Sequence, residues 1–420
     1  MRVEVEEVVG QCKPPDNGAG PFWCYGAPLL VRRGRWVYLS AMETGEGVPK
    51  LCNTRPRVFA RRDSESWRLA WQPEGFRERE PCPLVGVGSD ILLSVNPSTR
   101  PPSEQYAECD PHLLRFARSR FERPERSAPR WPDGAKFTEH SYRGIGVCAA
   151  TGDLLLLHID GATGTYHWAL RNARGEWPVT GRLAFPIRSC YPQVLLRRGA
   201  AHVLAIGDIV EPVEEWRQWK RQQTGREWDY VFRKLYYAWT PDLRRQPFSA
   251  PILLDDVDAT AGHITNLDLW ASPSGAVQAL YLRRTSTPIV RDRFLPGVVI
   301  RETLRHAILR DGKLERTADL IEAGEGLTGP TPWYARYHST DGRRAMIVAS
   351  QAGTNGPENV LIETDPEIVR VRRIPLEKPL WSFHTATERG GSSPSDTLDL
   401  FGPAADGVSL RYAKVTRLKD

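Results

Sequence analysis

An all-β fold, a seven-bladed β-propeller, is what this 420-residue chain predicts, and three observations carry the prediction. Helical periodicity is nearly absent. Short apolar runs alternate instead with turns of Gly, Pro, Asp and Asn, the pattern of strands joined by tight connections. One strand–turn–strand unit, clearest over residues 139–170 (EHSYRGIGVCAATGDLLLLHIDGATGTYHWAL), returns in degraded form along most of the sequence. A jelly roll or two packed sandwiches would share the first two observations, whereas the recurrence favours repeated blades.

The hairpins can be taken in order. Residues 28–31 pair with 36–40 across Arg-Arg-Gly-Arg, 84–87 with 91–95, and 145–149 with 154–159. Residues 193–196 pair with 201–206 across a Gly, 267–272 with 277–282 across Pro-Ser-Gly, and 335–338 with 344–349 across Thr-Asp-Gly. The seventh unit joins 383–387 to 397–402, and most units are followed by a further strand such as 57–60, 166–169, 235–239 or 302–309. Residues 2–9 and 408–415 both alternate as strands. Pairing them in one blade would close the ring and remove an exposed edge. The whole of 1–420 is therefore read as one propeller domain. A charged, Trp-rich insertion at 211–234 interrupts the fourth blade, with a short amphipathic helix starting after Pro212.

Composition narrows the function classes. Hydrophobic content of 40% and aromatic content of 9% describe a folded protein. Fourteen tryptophans suit blade packing and also saccharide platforms. The net charge of +6 and pI near 8.9 admit a polyanionic partner. The arginines are dispersed, however, and no nucleic-acid module is visible, so nucleic acid is not expected. An acidic polysaccharide or oligosaccharide fits better, because an arginine can pair a carboxylate bidentately.

Seven cysteines with no CxxC pair read as buried free thiols in a reducing compartment. No 18-residue apolar stretch predicts a membrane span. The start lacks a signal-peptide pattern, so the expectation is cytoplasmic if the chain is complete and secreted or periplasmic if a leader was removed. No metal-ligand spacing stands out, so no cofactor is expected, with a divalent ion left open. Oligomeric state is not readable.

In a propeller, residues just before first strands and just after second strands meet on one face. Before first strands stand Tyr25, His140, Tyr191, His263 with Asn266, Tyr334 and His384. After second strands come Glu43, Asn53 and Arg55, then Asp160 and His167, then Arg283 and Arg284, while His158 ends an apolar run. This ring is the expected substrate site. The bland alternatives are satisfied structural histidines, and for Arg55 a surface arginine over Trp67. His112, His202 and His306 are read as structural or surface residues.

His140-Ser141, Gly152-Asp153, the stretch His158 to His167, and Tyr191-Pro192 resemble the BNR-repeat-like proteins that include the propeller ulvan lyases. Three features depart from that pattern: Ser141 replaces an Asn, Gln193 stands where an Arg is usual, and the paired histidines His158 and His167 are not adjacent. The resemblance implies β-elimination on a uronate-containing glycan. His140, alone or with His167, would be the base, Tyr191 would donate to the leaving oxygen, and Arg143 or Arg55 would neutralise the carboxylate. The competing readings are a glycoside hydrolase, sialidase-like or rhamnosidase-like, using carboxylates such as Glu43 and Asp160, and a non-catalytic glycan- or protein-binding propeller.

Overall fold

The computed structural model describes residues 1–13, 16, 27–102, 104, 107–139, 142–365 and 368–416. Seven four-stranded antiparallel sheets make the blades of a β-propeller, each numbered here by its place in the chain. Their axial strands are Leu30–Arg33, Leu84–Val87, Arg143–Cys148, Ser189–Arg197, His263–Ala271, Thr331–Ser339 and His384–Thr385. In blade 3 every residue of Arg143–Cys148, Asp153–Ile159 and Tyr166–Arg171 is buried. Neighbouring blades cover both faces of such a sheet. Its strands therefore read as continuous apolar runs such as Leu154–Leu155–Leu156–Leu157 rather than as an alternation. The rim strand Val179–Leu183, covered on one side, does alternate.

Closure works as the terminal patterns predict. Arg2–Gln11 pairs antiparallel with Ser409–Thr416, from Arg2 opposite Thr416 to Gln11 opposite Ser409. Deleting residues 2–11 would expose a strand edge and remove a ladder whose bonds contribute about 0.5–1.5 kcal/mol each. The expected result is a lower denaturation midpoint together with concentration-dependent self-association, checked by melting and light scattering.

Blade 7 departs from the expected tight hairpin. Its axial strand is two residues long, and the chain then crosses the axis before returning as Leu398–Pro403. On the way Arg389, 4% exposed, donates from Nε to Asp268 of blade 5 at 2.7 Å and from Nη2 to Gln193 of blade 4 at 3.3 Å. Gly391 has φ 86°, and a Cβ there would lie 1.9 Å from the Gly86 carbonyl of blade 2, so only glycine fits this crossing. One connection thus ties three other blades across the axis.

The insertion in blade 4 forms the helix Glu214–Thr224, carried on the ribbon Ile209–Val210 and Tyr230–Val231. It does not stand alone. A short helix, Pro288–Phe294, follows the second strand of blade 5 and was not expected from sequence. Trp219 Nε1 donates to the Ile289 carbonyl at 2.8 Å, and Arg293 lies 4.1 Å over the Trp219 ring. Among the described residues, no helix is long and apolar enough to cross a membrane.

Candidate functional site

Tyr25 and His140 lie outside the described residues. Of the other predicted residues, Tyr191, Asn266, Tyr334 and His384 gather near the axis, but they are buried inside the wall. Tyr191 occupies a bulge where the pairing of Ser189–Arg197 with Ala200–Gly207 slips, and its φ is 51°. A bulky side chain in this left-handed region costs on the order of 1–3 kcal/mol. Pro192, which cannot donate to the ladder, accounts for the break. The Tyr191 carbonyl accepts from Asn266 Nδ2 at 2.7 Å, and its ring meets Tyr142 edge-on at 5.0 Å. Tyr334 accepts from Arg336, which also donates to the Leu267 carbonyl. Burial, then the charges of Arg336 and Arg389, holds His384 well below its ordinary pKa, so it is neutral.

Arg143 is fully enclosed. Its Nη2 donates to the carbonyls of Glu80 and Pro81, both at 3.0 Å, and stands 3.4 Å from the Glu78 carboxylate. A guanidinium held by protein acceptors within the wall is not placed to meet a substrate carboxylate, contrary to the expectation for Arg143.

His158, His167 and Asp160 form one separate cluster, and Glu43, Asn53 and Arg55 form another. His158 and His167 stand opposite each other across two strands of blade 3. His158 meets Trp131 and Phe137 edge-on at 5.8 and 6.0 Å, and His167 lies 3.5 Å from Asp160. Asp160 is occupied by the backbone N–H groups of Lys136, Ala162 and Thr163. On blade 1, Arg55 pairs with Glu43 at 2.7 Å and lies 4.6 Å over Phe76, while Asn53 donates to Asp16 at 2.6 Å.

An open cavity does exist on this face, displaced outward to the junction of blades 5 and 6. It measures about 460 Å³ and is walled by Trp333 and Trp381, with His263, Arg283, Arg284 and Glu302 at its polar side. Trp381 is 53% exposed. Trp333 stands at a bulge between Pro332 and Tyr334, so it turns outward while Tyr334 is buried. Arg284 pairs with Glu302 at 2.8 Å and Arg283 with Asp255 at 3.4 Å. The His263 ring meets Phe232 edge-on at 5.7 Å. Burial, assisted by the charges of Arg284 and Arg233, lowers its pKa to about 4, leaving a neutral imidazole at pH 7. His263, Arg283 and Arg284 belong to the predicted ring. Trp333, Trp381 and Glu302 were not in it. The prolines inside axial strands, Pro192 and Pro332, are the sequence signal that could have marked the bulges.

Burial also lowers His202 and His306 to about 4. An unfolded histidine takes its proton near 6.5. As pH falls from 6.5 toward 4 the unfolded chain therefore binds protons that the fold does not, and stability is lost within that window. Urea titrations from pH 7 to 4 should show a falling midpoint, and His202→Gln should flatten part of the slope.

Among the described residues, no group of three His, Cys, Asp or Glu side chains is arranged to hold a metal ion. The six described cysteines are buried and free.

No family model matches the chain, and no curated protein matches it. Solved structures do. The polysaccharide lyase Uly1 aligns with a TM-score of 0.56 at 9% identity, over 99% of this chain and 100% of that one. Cobalt-substituted Synechocystis apocarotenoid oxygenase aligns with a TM-score of 0.51 at 11% identity, over 98% and 92%. An α-L-arabinofuranosidase from Fusarium graminearum aligns at 0.47 and 10%, over 97% and 96%. At such identities the likeness shows the fold alone: the chain is a seven-bladed β-propeller.

Proposed function

We propose that this propeller acts on an acidic, uronate-containing saccharide bound in the cavity between blades 5 and 6, cleaving it by β-elimination. The observation that carries the reading is the pairing of two tryptophan walls with two arginines and a neutral histidine around one open volume. Aromatic faces suit the apolar faces of sugar rings. The guanidinium of Arg283 or Arg284 exchanges its protein carboxylate for that of the substrate and disperses the charge that develops there. The proton alpha to the carboxylate passes to His263, a carbon–carbon double bond forms as the bond to the β oxygen breaks, and that oxygen takes a proton. Hydrolysis by paired carboxylates is less well served, since among the described residues Glu302 is the one carboxylate lining the cavity and Arg284 engages it.

The test is incubation with uronate polysaccharides and their oligosaccharides, following ultraviolet absorbance of the unsaturated product, for wild type, His263→Ala and His140→Ala. Loss in His263→Ala alone supports this assignment. Loss in His140→Ala alone returns the base to the residue that the resemblance implies. Glycan retention without product in wild type makes the protein a binder, and new reducing ends without absorbance make it a hydrolase.

A further inference from the structure

The proposed saccharide cavity lies where axial strands begin. On the opposite face, where they end, blades 1 and 2 enclose a basic cavity that has no part in that site. It measures about 320 Å³ and is walled by Arg33, Arg68 and Arg118 with Trp36, Tyr38 and Ser89. Arg33 ends the axial strand of blade 1, Arg68 begins its rim strand Arg68–Trp71, and Arg118 follows the strand His112–Phe116 of blade 2. The three arginines are far apart in sequence, and the contact between the blades brings them to one volume. Arg68 lies 5.8 Å over the Trp36 ring, which itself stacks on Tyr38 at 6.1 Å.

Two observations single this cavity out. No carboxylate lines it, and among the described residues none of the three guanidinium groups is paired with one. Arg32, one residue before Arg33, shows the ordinary arrangement, donating from Nε to Asp399 at 2.5 Å. Asp90, which follows Ser89, is already engaged by Arg115 Nε at 2.7 Å and by the Arg118 backbone N–H at 2.8 Å. The second observation is that Arg33 is half-buried, with its guanidinium laid against blade 2. A Cβ added to Gly86 would stand 2.6 Å from Arg33 Nε and 2.7 Å from Nη2, so glycine there makes room for the cation. Burial lowers the Arg33 pKa, ahead of the opposing influence of Tyr38 and Asp90. A partly desolvated cation without a counter-ion is stabilised by an anion that reaches it.

We propose that this cavity binds the phosphate group of a small phosphomonoester, with the three guanidinium groups holding its oxygens. The planar fork of arginine matches phosphate oxygens in pairs. A phosphomonoester carries about −1.5 to −2 charges at pH 7, which answers three cations better than the single charge of a carboxylate or a sulfate ester. At roughly 30 Å³ per water, the cavity has room for about ten waters, more than a phosphate group fills. The organic part of the ester therefore fits beside the Trp36 and Tyr38 wall.

The experiment is isothermal titration of the folded chain with phenyl phosphate and phenyl sulfate, probes alike in shape and different in charge. Phenyl phosphate is expected to bind more tightly at neutral pH, and to weaken as pH drops through about 6, where a phosphomonoester gains a proton. Phenyl sulfate should show no such slope. No His, Asp or Glu lines the cavity, so the slope belongs to the ligand. Arg68→Gln/Arg118→Gln, changed at two exposed positions, should keep the wild-type melting temperature and bind phenyl phosphate about tenfold more weakly. Adding Arg33→Gln should weaken it further. The Trp333→Ala/Trp381→Ala variant should bind the probe as wild type does, which separates this cavity from the saccharide site. Absence of phenyl phosphate binding, equal affinity for phenyl sulfate at neutral pH, unchanged binding in Arg68→Gln/Arg118→Gln, or loss in the tryptophan variant would overturn the proposal.

Discussion

Arg389→Ala is expected to destabilise the protein by about 3–5 kcal/mol, the usual cost of leaving one member of a buried ion pair alone. The guanidinium is enclosed at the axis, and burial holds its pKa below the ordinary arginine value, ahead of the opposing influence of Asp268. Asp268 is fully buried and also accepts the N–H groups of Leu269 and Tyr337. Removing the arginine leaves that carboxylate with backbone donors only, and it removes the side chain that links blades 4, 5 and 7. Arg389→Met, which keeps much of the volume, should lose nearly as much, because charge compensation rather than packing is what disappears. Urea denaturation of both variants reads the effect. A loss below about 1 kcal/mol, the scale of an exposed pair, would mean that the crossing segment is not held by this contact.

His263→Ala is expected to lower turnover of a uronate substrate by about 10²–10⁴-fold, the range of positioned proton transfer. The pH profile gives the prediction its specificity. In the free protein the imidazole stays neutral down to about pH 4, so kcat/KM should hold across neutral pH and fall only as pH approaches 4. A bound carboxylate favours the imidazolium, so the acid limb of kcat should lie at higher pH than that of kcat/KM. An acid limb of kcat/KM at an unperturbed histidine value near 6.5 would point to a solvated base instead.

The blades were legible because most axial and second strands are buried on both faces and so announce themselves as apolar runs between turns. Closure was legible in the alternation of the two termini. The axial crossing was not. The stretch Thr385-Ala-Thr-Glu-Arg-Gly-Gly-Ser-Ser-Pro-Ser395 has the composition of a solvated loop, and only tertiary contacts bury Arg389 within it. Position along a strand does not tell wall from opening. Tyr334 and Trp333 are neighbours in sequence, yet the pleat and the bulge bury one and turn the other toward the cavity. His158 was expected to bind substrate and His167 to share in catalysis, and in the structure both rings pack edge-on against aromatic neighbours, Trp131 and Phe137.

Isothermal titration with an oligouronide and a neutral oligosaccharide of equal length, into wild type and the Trp333→Ala/Trp381→Ala variant, tests the proposed site most directly. Each aromatic face is worth roughly 1.4 kcal/mol, so the double variant should bind the oligouronide about 100-fold more weakly. Wild type should also prefer the acidic chain, with a preference that fades as salt rises. Equal affinity for the two chains, or oligouronide binding unchanged by loss of both tryptophans, would contradict an acidic saccharide site between blades 5 and 6.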